Sequence, residues 1–415
     1  MNSILQLKGR FEQRSNRSRP GSPKLPKGKS VSASHLRELE KQLERILVYW
    51  TENKDIRGAL VSVHYKHIVA KSNRLKILLS ENGKSPTESI RGAKFVWEPD
   101  QKGNEVQKHV FTHFVSLQAI EKSIDVLKKT ASIIEQYYKG SVPSEVIEEL
   151  GEKYHFNEVP KTSFLKTVVD GFYVERFDID RATEEITEEA IITIYQTGVD
   201  TKRLLSKFGI DIVDDRIIDG TTLRLNPDEV KLLYNNASYL IAMGVTDFSE
   251  ISRDDVLDAY EDMEEDAGLL IPHPQNEPVI GVIDTQFNEK VYFHEWVEYK
   301  NLLDPNIPLS RKDYEHGTAV SYIIVDGPQG NPELADGCGR FRVRHFGVAT
   351  NNGFSSFTVL KMIRNIVASN RDIKVWNLSL GSKLEIKPNF ISPEAAELDR
   401  IQSEYDVIFV VAGTN

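Results

Sequence analysis

The chain has 415 residues, a formal net charge of −10, and 40% apolar and 27% charged residues. At roughly 150 residues per domain, two to four domains are expected; the acidic balance argues against general nucleic-acid binding, and no apolar run approaches the roughly 18 residues of a membrane helix. A single cysteine, Cys338, excludes an internal disulfide, and the opening MNSILQLKGRFEQRSNRSRP turns polar too soon for a signal peptide, so a soluble cytoplasmic protein is expected.

Residues 1–33 are basic and rich in Ser, Pro and Gly, the composition of a disordered tail. From 34 to 54, SHLRELEKQLERILVYWTEN carries apolar residues at helical spacing, with Ser32 or Ser34 as cap. GALVSVHYKHIVA, AKFVWEP and KHVFTHFVSL alternate as strands do. LQAIEKSIDVLKKTASIIEQYYKG predicts a long amphipathic helix closed by Gly140. Residues 34–140 are therefore expected to form a small α+β domain. His109 and His113 could share one strand face, but no further His or Cys clusters beside them, which disfavours a metal site. Residues 141–187 predict a connecting region, acidic at its end.

Residues 188–250 alternate more clearly. AIITIYQTG predicts a strand and VDTKRLLSKFG a helix ended by Gly209. IDIVDD and TTLRLN predict two further strands. NPDEVKLLYNNAS predicts a helix capped by Asn226 with Pro227 at its first position, and YLIAMGVTDF a last strand. The order β-α-β-β-α-β is that of a ferredoxin-like domain. Residues 251–277 are acidic and then Pro-containing, as in an exposed linker.

Residues 278–415 predict an α/β domain with a parallel sheet. PVIGVIDTQ gives a buried strand with Asp284 at its carboxyl end. HGTAVSYIIV places His316 at a helix start. RFRVRHFGVA and IKVWNLSLGS predict strands, FTVLKMIRNIVASN and SPEAAELDRIQSEY helices. DVIFVVAGTN ends in a buried strand, Val407–Val411, with Asn415 at its carboxyl end. In such sheets chemistry collects at the carboxyl ends of strands.

The run IDT, HGT, NLSLG and VVAGTN, in this order, resembles the subtilisin-like serine peptidases, or subtilases. The resemblance implies an incomplete subtilisin-like catalytic domain at 278–415, preceded by a ferredoxin-like propeptide-like domain at 188–250 that acts as folding chaperone and inhibitor. Asp284 would orient an imidazole, His316 would be general base and then general acid, and Asn415 would donate its side-chain amide to the oxyanion. Ser379, Leu380 and Gly381 would pair with an extended peptide or protein substrate. Ala319 departs from the second histidine often found in the family. The family's nucleophile, a Ser in a Gly-Thr-Ser setting after the oxyanion Asn, is not found: Ser355 and Ser356 precede the wrong strand and Ser379 belongs to the substrate strand. The expectation is a serine endopeptidase whose chain here breaks off before the serine, so that this fragment alone would be inactive. The alternative is a catalytically dead module that binds peptides or partners. No cofactor is implied, with calcium left open. Ala70–Ser80 (AKSNRLKILLS) and the long amino-terminal extension look similar to bacterial subtilases encoded beside AAA-type ATPases, which makes such an ATPase a candidate partner. Cys338, in a Gly-rich loop, lacks the setting of a cysteine nucleophile.

Overall fold

In the computed structural model the described residues are 24–81, 84–99, 103–150, 154–183, 186, 188–249, 271–335, 337–351, 353–381 and 392–412. Residues 1–23, most of the acidic linker and Asn415 lie outside them; the disordered tail expected at 1–33 is corrected at 24–33, which are structured, with Leu25 and Val31 buried and Ser30–Ser32 in a strand. The chain divides into two compact units: one takes its described residues from 10–187 and 192–244, the other from 188–191 and 245–415.

In the first unit, strand β1 (Ser30–Ser32) leads into helix α1 (Ala33–Glu52), where the Ser32 side chain accepts the His35 N–H as the expected cap. Strands β2 (Ala59–Tyr65), β3 (Ile90–Pro99) and β4 (Glu105–Val115) follow. Next come helix α2 (Leu117–Tyr137), the short β5 (Ser141–Pro143) and α3 (Ser144–Glu149). Helix α4 (Lys161–Tyr173) then runs straight into β6 (Val174–Asp178). The sheet order is β3-β4-β2-β6, all antiparallel. Helix α1 turns Leu36, Leu39, Leu43 and Trp50 inward, and the Trp50 indole N–H donates to the Leu60 carbonyl at 3.0 Å. A Cβ on Gly171 would stand 2.3 Å from Leu36, so α4 and α1 touch at a glycine.

The expected boundary at residue 140 is corrected by this sheet. β6 completes it by pairing with β2, Val63 opposite Phe177, and α4 buries Phe164 and Val168 completely. Residues 161–178 are structural members of the domain, not a connector. Asp170 on α4 is fully enclosed and accepts the N–H groups of Lys76, Ile77 and Leu78 at 2.7, 2.9 and 3.0 Å, which pins the end of the 70–80 stretch. His109 stacks on Phe95 and accepts the Val69 N–H, while His113 bonds Ser89 at 2.9 Å and is pushed down to about 3 by burial; both are held by packing partners.

Strand β7 (Ala190–Ile194), helix α5 (Thr201–Ser206), β8 (Thr222–Leu225), α6 (Pro227–Ala237) and β9 (Ile241–Thr246) build a three-stranded sheet of order β8-β7-β9. The α6 cap is the expected one, with Asn226 and Glu229 bonded reciprocally. The strand expected at IDIVDD is absent: 210–213 are irregular and Asp214–Arg216 form a 3₁₀ turn. Its paired aspartates favour turn geometry over a ladder.

The second unit begins with β10 (Phe248–Ser249) after β9, and then β11 (Val279–Asp284). β12 (Val297–Asn301), helix α7 (Glu315–Gly330), β13 (Arg342–Gly347), β14 (Phe354–Ser355) and α8 (Ser356–Ser369) follow. β15 (Val375–Leu378), α9 (Pro393–Tyr405) and β16 (Ile408–Val411) complete it. The main sheet has the order β12-β13-β11-β15-β16 and every pairing is parallel, as expected. β12 was not foreseen; VEYKN is a polar edge strand. Helix α7 is kinked at Asp326, whose carboxylate is held by Tyr292 and Arg340. β16 forms where expected, yet it is not buried: it is a sheet edge, with Ile408 61%, Val410 53% and Val411 50% exposed. Its only strand partner among the described residues is β15.

From β13 the chain crosses over β11 to β15, so the strand order reverses around β11. Such a reversal opens a crevice beyond the carboxyl ends of the strands. On the strand itself, a Cβ at Gly281 would stand 2.2 Å from the Trp376 ring. Gly281→Ala should therefore cost about 1–3 kcal/mol through overpacking, read as a lower urea midpoint. In a Trp376→Leu background the same change should be nearly neutral.

Candidate active site

Asp284 is the last residue of β11, at the carboxyl end of the strand. Its side chain is fully buried, and Oδ1 accepts the N–H of Thr285 at 2.6 Å. Helix α7 begins one residue before His316, and His316 Nδ1 lies 2.5 Å from the same Oδ1. A carboxylate can only accept, so Nδ1 carries the proton and Nε2 is the bare nitrogen of the neutral ring. Burial lowers the affinity of His316 for a second proton; the hydrogen bond and negative charge of Asp284 outweigh it, and the net shift is upward from 6.5.

The helix start is fastened to the strand end by short local bonds. Gly317 N–H donates to Thr285 Oγ1 at 2.9 Å, and Asn288 N–H donates to Thr318 Oγ1 at 2.9 Å. A Cβ on Gly317 would meet the carbonyls of Gln286 and Thr285 at 2.6 and 2.8 Å, so only glycine lets α7 approach this closely. The Gln286 side chain bridges the Ala349 carbonyl and the Tyr299 hydroxyl at 2.9 and 2.7 Å, and its N–H donates to Asp313 O.

Ser379, Leu380 and Gly381 follow the last residue of β15. Ile283 pairs with Leu378, so Ser379 stands level with Asp284 at the same sheet end. Ser379 Oγ accepts the Asn377 side-chain N–H at 2.7 Å, and Leu380 is buried. The structure thus brings Asp284 and His316 into contact and puts Ser379–Gly381 on the neighbouring strand end; Asn415 lies outside the described residues. Cys338 is exposed in its loop. Among the described residues no group of three or more His, Cys, Asp or Glu side chains gathers as a metal site, and no helix is long and apolar enough to cross a membrane.

Thr285 and Gly317 stand in the IDT and HGT motifs, whereas Ser321 and His345 were not singled out in the sequence for this site. His345 had a signal: in RVRHFG it alternates with the arginines, on the side of Val343 and Gly347, which marks an inward position.

The structure thus holds an Asp–His pair at the carboxyl end of the central strand of a parallel α/β sheet. Residues 275–415 match the Subtilase family, Peptidase S8. Among curated proteins none matches. Among solved structures, the epidermin leader peptide processing serine protease of Staphylococcus aureus is similar at 18% identity and a TM-score of 0.31, over 55% of this chain. The chain spans 60% of the length of that protein.

The raised His316 value has a stability consequence. A histidine whose folded value exceeds its unfolded one stabilises the fold fully below 6.5, and the contribution fades as pH rises through the folded value. Asp284→Asn should therefore be most destabilising below pH 6.5, with a smaller gap to wild type at pH 9. Urea unfolding at both pH values checks this.

Proposed function

We propose that this protein is a serine endopeptidase in which Asp284 orients His316, and His316 acts as general base and then general acid. The observation that carries this reading is the 2.5 Å contact between His316 Nδ1 and buried Asp284 in a segment that matches the Subtilase family. In this reading His316 Nε2, as base, takes the hydroxyl proton of a serine in a Gly-Thr-Ser setting beyond residue 415. That serine adds to the peptide carbonyl, His316 passes its proton to the leaving amine, and water releases the acyl group. Asn415 is the oxyanion donor in this scheme, and Ser379–Gly381 pair with the substrate backbone by strand addition.

Residues 188–250 are read as the propeptide-like segment. The contacts at their end support this. β10 pairs antiparallel with β14, Phe248 opposite Ser355. Asp247 is buried, and its carboxylate accepts the Ser355 hydroxyl at 2.7 Å and the Phe357 N–H at 2.9 Å. It therefore caps α8, the helix that leads to β15, across the chain.

In the full-length protein, Asp284→Ala and His316→Ala should each lower peptide hydrolysis by about four orders of magnitude. A fluorophosphonate probe should label one serine, outside residues 1–415, in wild type. Absence of both labelling and hydrolysis, with the protein folded, would instead favour the peptide-binding module without chemistry. Asp247→Ala should release the 188–250 segment sooner, seen as several-fold faster appearance of a cleaved amino-terminal product on gels; an unchanged rate would remove Asp247 from that role.

A further inference from the structure

His345 on β13 is a buried titratable group that the proposed mechanism does not use. It is completely enclosed, and both ring nitrogens are bonded. Nε2 lies 2.8 Å from the Thr285 carbonyl and Nδ1 2.9 Å from Ser321 Oγ. A carbonyl only accepts, so Nε2 carries the proton; in the neutral ring Nδ1 is then an acceptor, and the Ser321 hydroxyl must donate to it. Burial lowers its proton affinity, against a smaller upward effect from Asp284, which fits a ring held neutral.

The two anchors of this ring belong to the two elements that meet at the site. Thr285 follows Asp284 on β11, and its hydroxyl also accepts the Gly317 N–H. Ser321 stands on α7, the helix that opens with His316. The His345 ring itself reaches the same place, since a Cβ at Gly317 would stand 2.8 Å from its Cε1. Phe287 and Tyr299 pack against the ring from the other elements, each with ring centres 5.7 Å away. Asp284 and His316 are the charged groups that act on it.

We propose that His345 is a positioning residue for the Asp284–His316 pair: as a neutral Nε2–H tautomer it ties the end of β11 to the first turns of α7 and so holds His316 Nδ1 on the Asp284 carboxylate. This rests on the reading of those two residues as the catalytic pair. Ser321 is fully buried, so the Ser321–His345 pair is no second nucleophile.

The test is a histidine titration of the full chain by NMR, with ¹⁵N-labelled imidazoles assigned through single His→Gln variants. In wild type, His345 should show one protonated and one bare nitrogen and should not titrate with His316. His345→Leu should move the His316 midpoint down by about one pH unit, a tenfold change in its proton affinity. His345→Gln, which can donate to Thr285 and accept from Ser321, should largely restore it. Ser321→Ala, a smaller change to the packing, should give a shift in the same direction if His345→Leu does not fold. A His316 midpoint unchanged in both His345→Leu and Ser321→Ala would overturn the proposal and leave His345 as core filler. An unchanged midpoint in Asp284→Asn would instead show that the Asp–His pair does not form, a failure of the catalytic reading.

Discussion

A fully buried carboxylate is the constraint around which the second unit is arranged. Removing a charge from water costs several kcal/mol even after relaxation, and attraction repays it only when partners are well placed. Asp284 has the Thr285 N–H and the His316 imidazole on Oδ1, and no hydrogen-bond partner on Oδ2 among the described residues. So few partners leave little slack in position. That explains the tight local architecture: a glycine at 317 where any side chain would strike two carbonyls, a threonine hydroxyl taking the Gly317 N–H, and a second imidazole behind both. The sheet contributes by placing Asp284 on an interior strand, between β13 and β15, where its backbone cannot drift.

Asp284 and His316 were singled out because IDT, HGT, NLSLG and VVAGTN, in this order, resemble the subtilases; the local pattern agrees with that reading. Asp284 ends an apolar run, and His316 opens one. Ser379–Gly381 came from the same resemblance, at the end of a predicted strand. His345 was harder, since a single histidine inside a strand carries no motif; only its two-residue alternation with arginines distinguishes it. Its role depends on Thr285 and Ser321, which come together only when three elements pack.

The fold was legible where patterns were strong and local. Ser32 and Asn226 cap helices as their positions suggested. The failures have physical causes. β12 alternates Val297 and Tyr299 with charged residues, a weak signal for an edge strand. IDIVDD has the apolar content of a strand, but its aspartates settle into a turn. α4 and β6 were hidden because the acidic run after them dominated the reading of 141–187. β16 has the composition of an interior strand and, among the described residues, pairs only with β15.

The position of β11 has a kinetic side. It is the first strand of its sheet to leave the ribosome, yet its partners are β13 and β15, with Gly281 facing Trp376 far down the chain. Parallel pairing of this kind cannot nucleate from a hairpin, and closing such long loops precedes any gain from the contacts they make. Until Trp376 arrives, the apolar run Val279–Ile283 has no partner on that side and is open to wrong pairings.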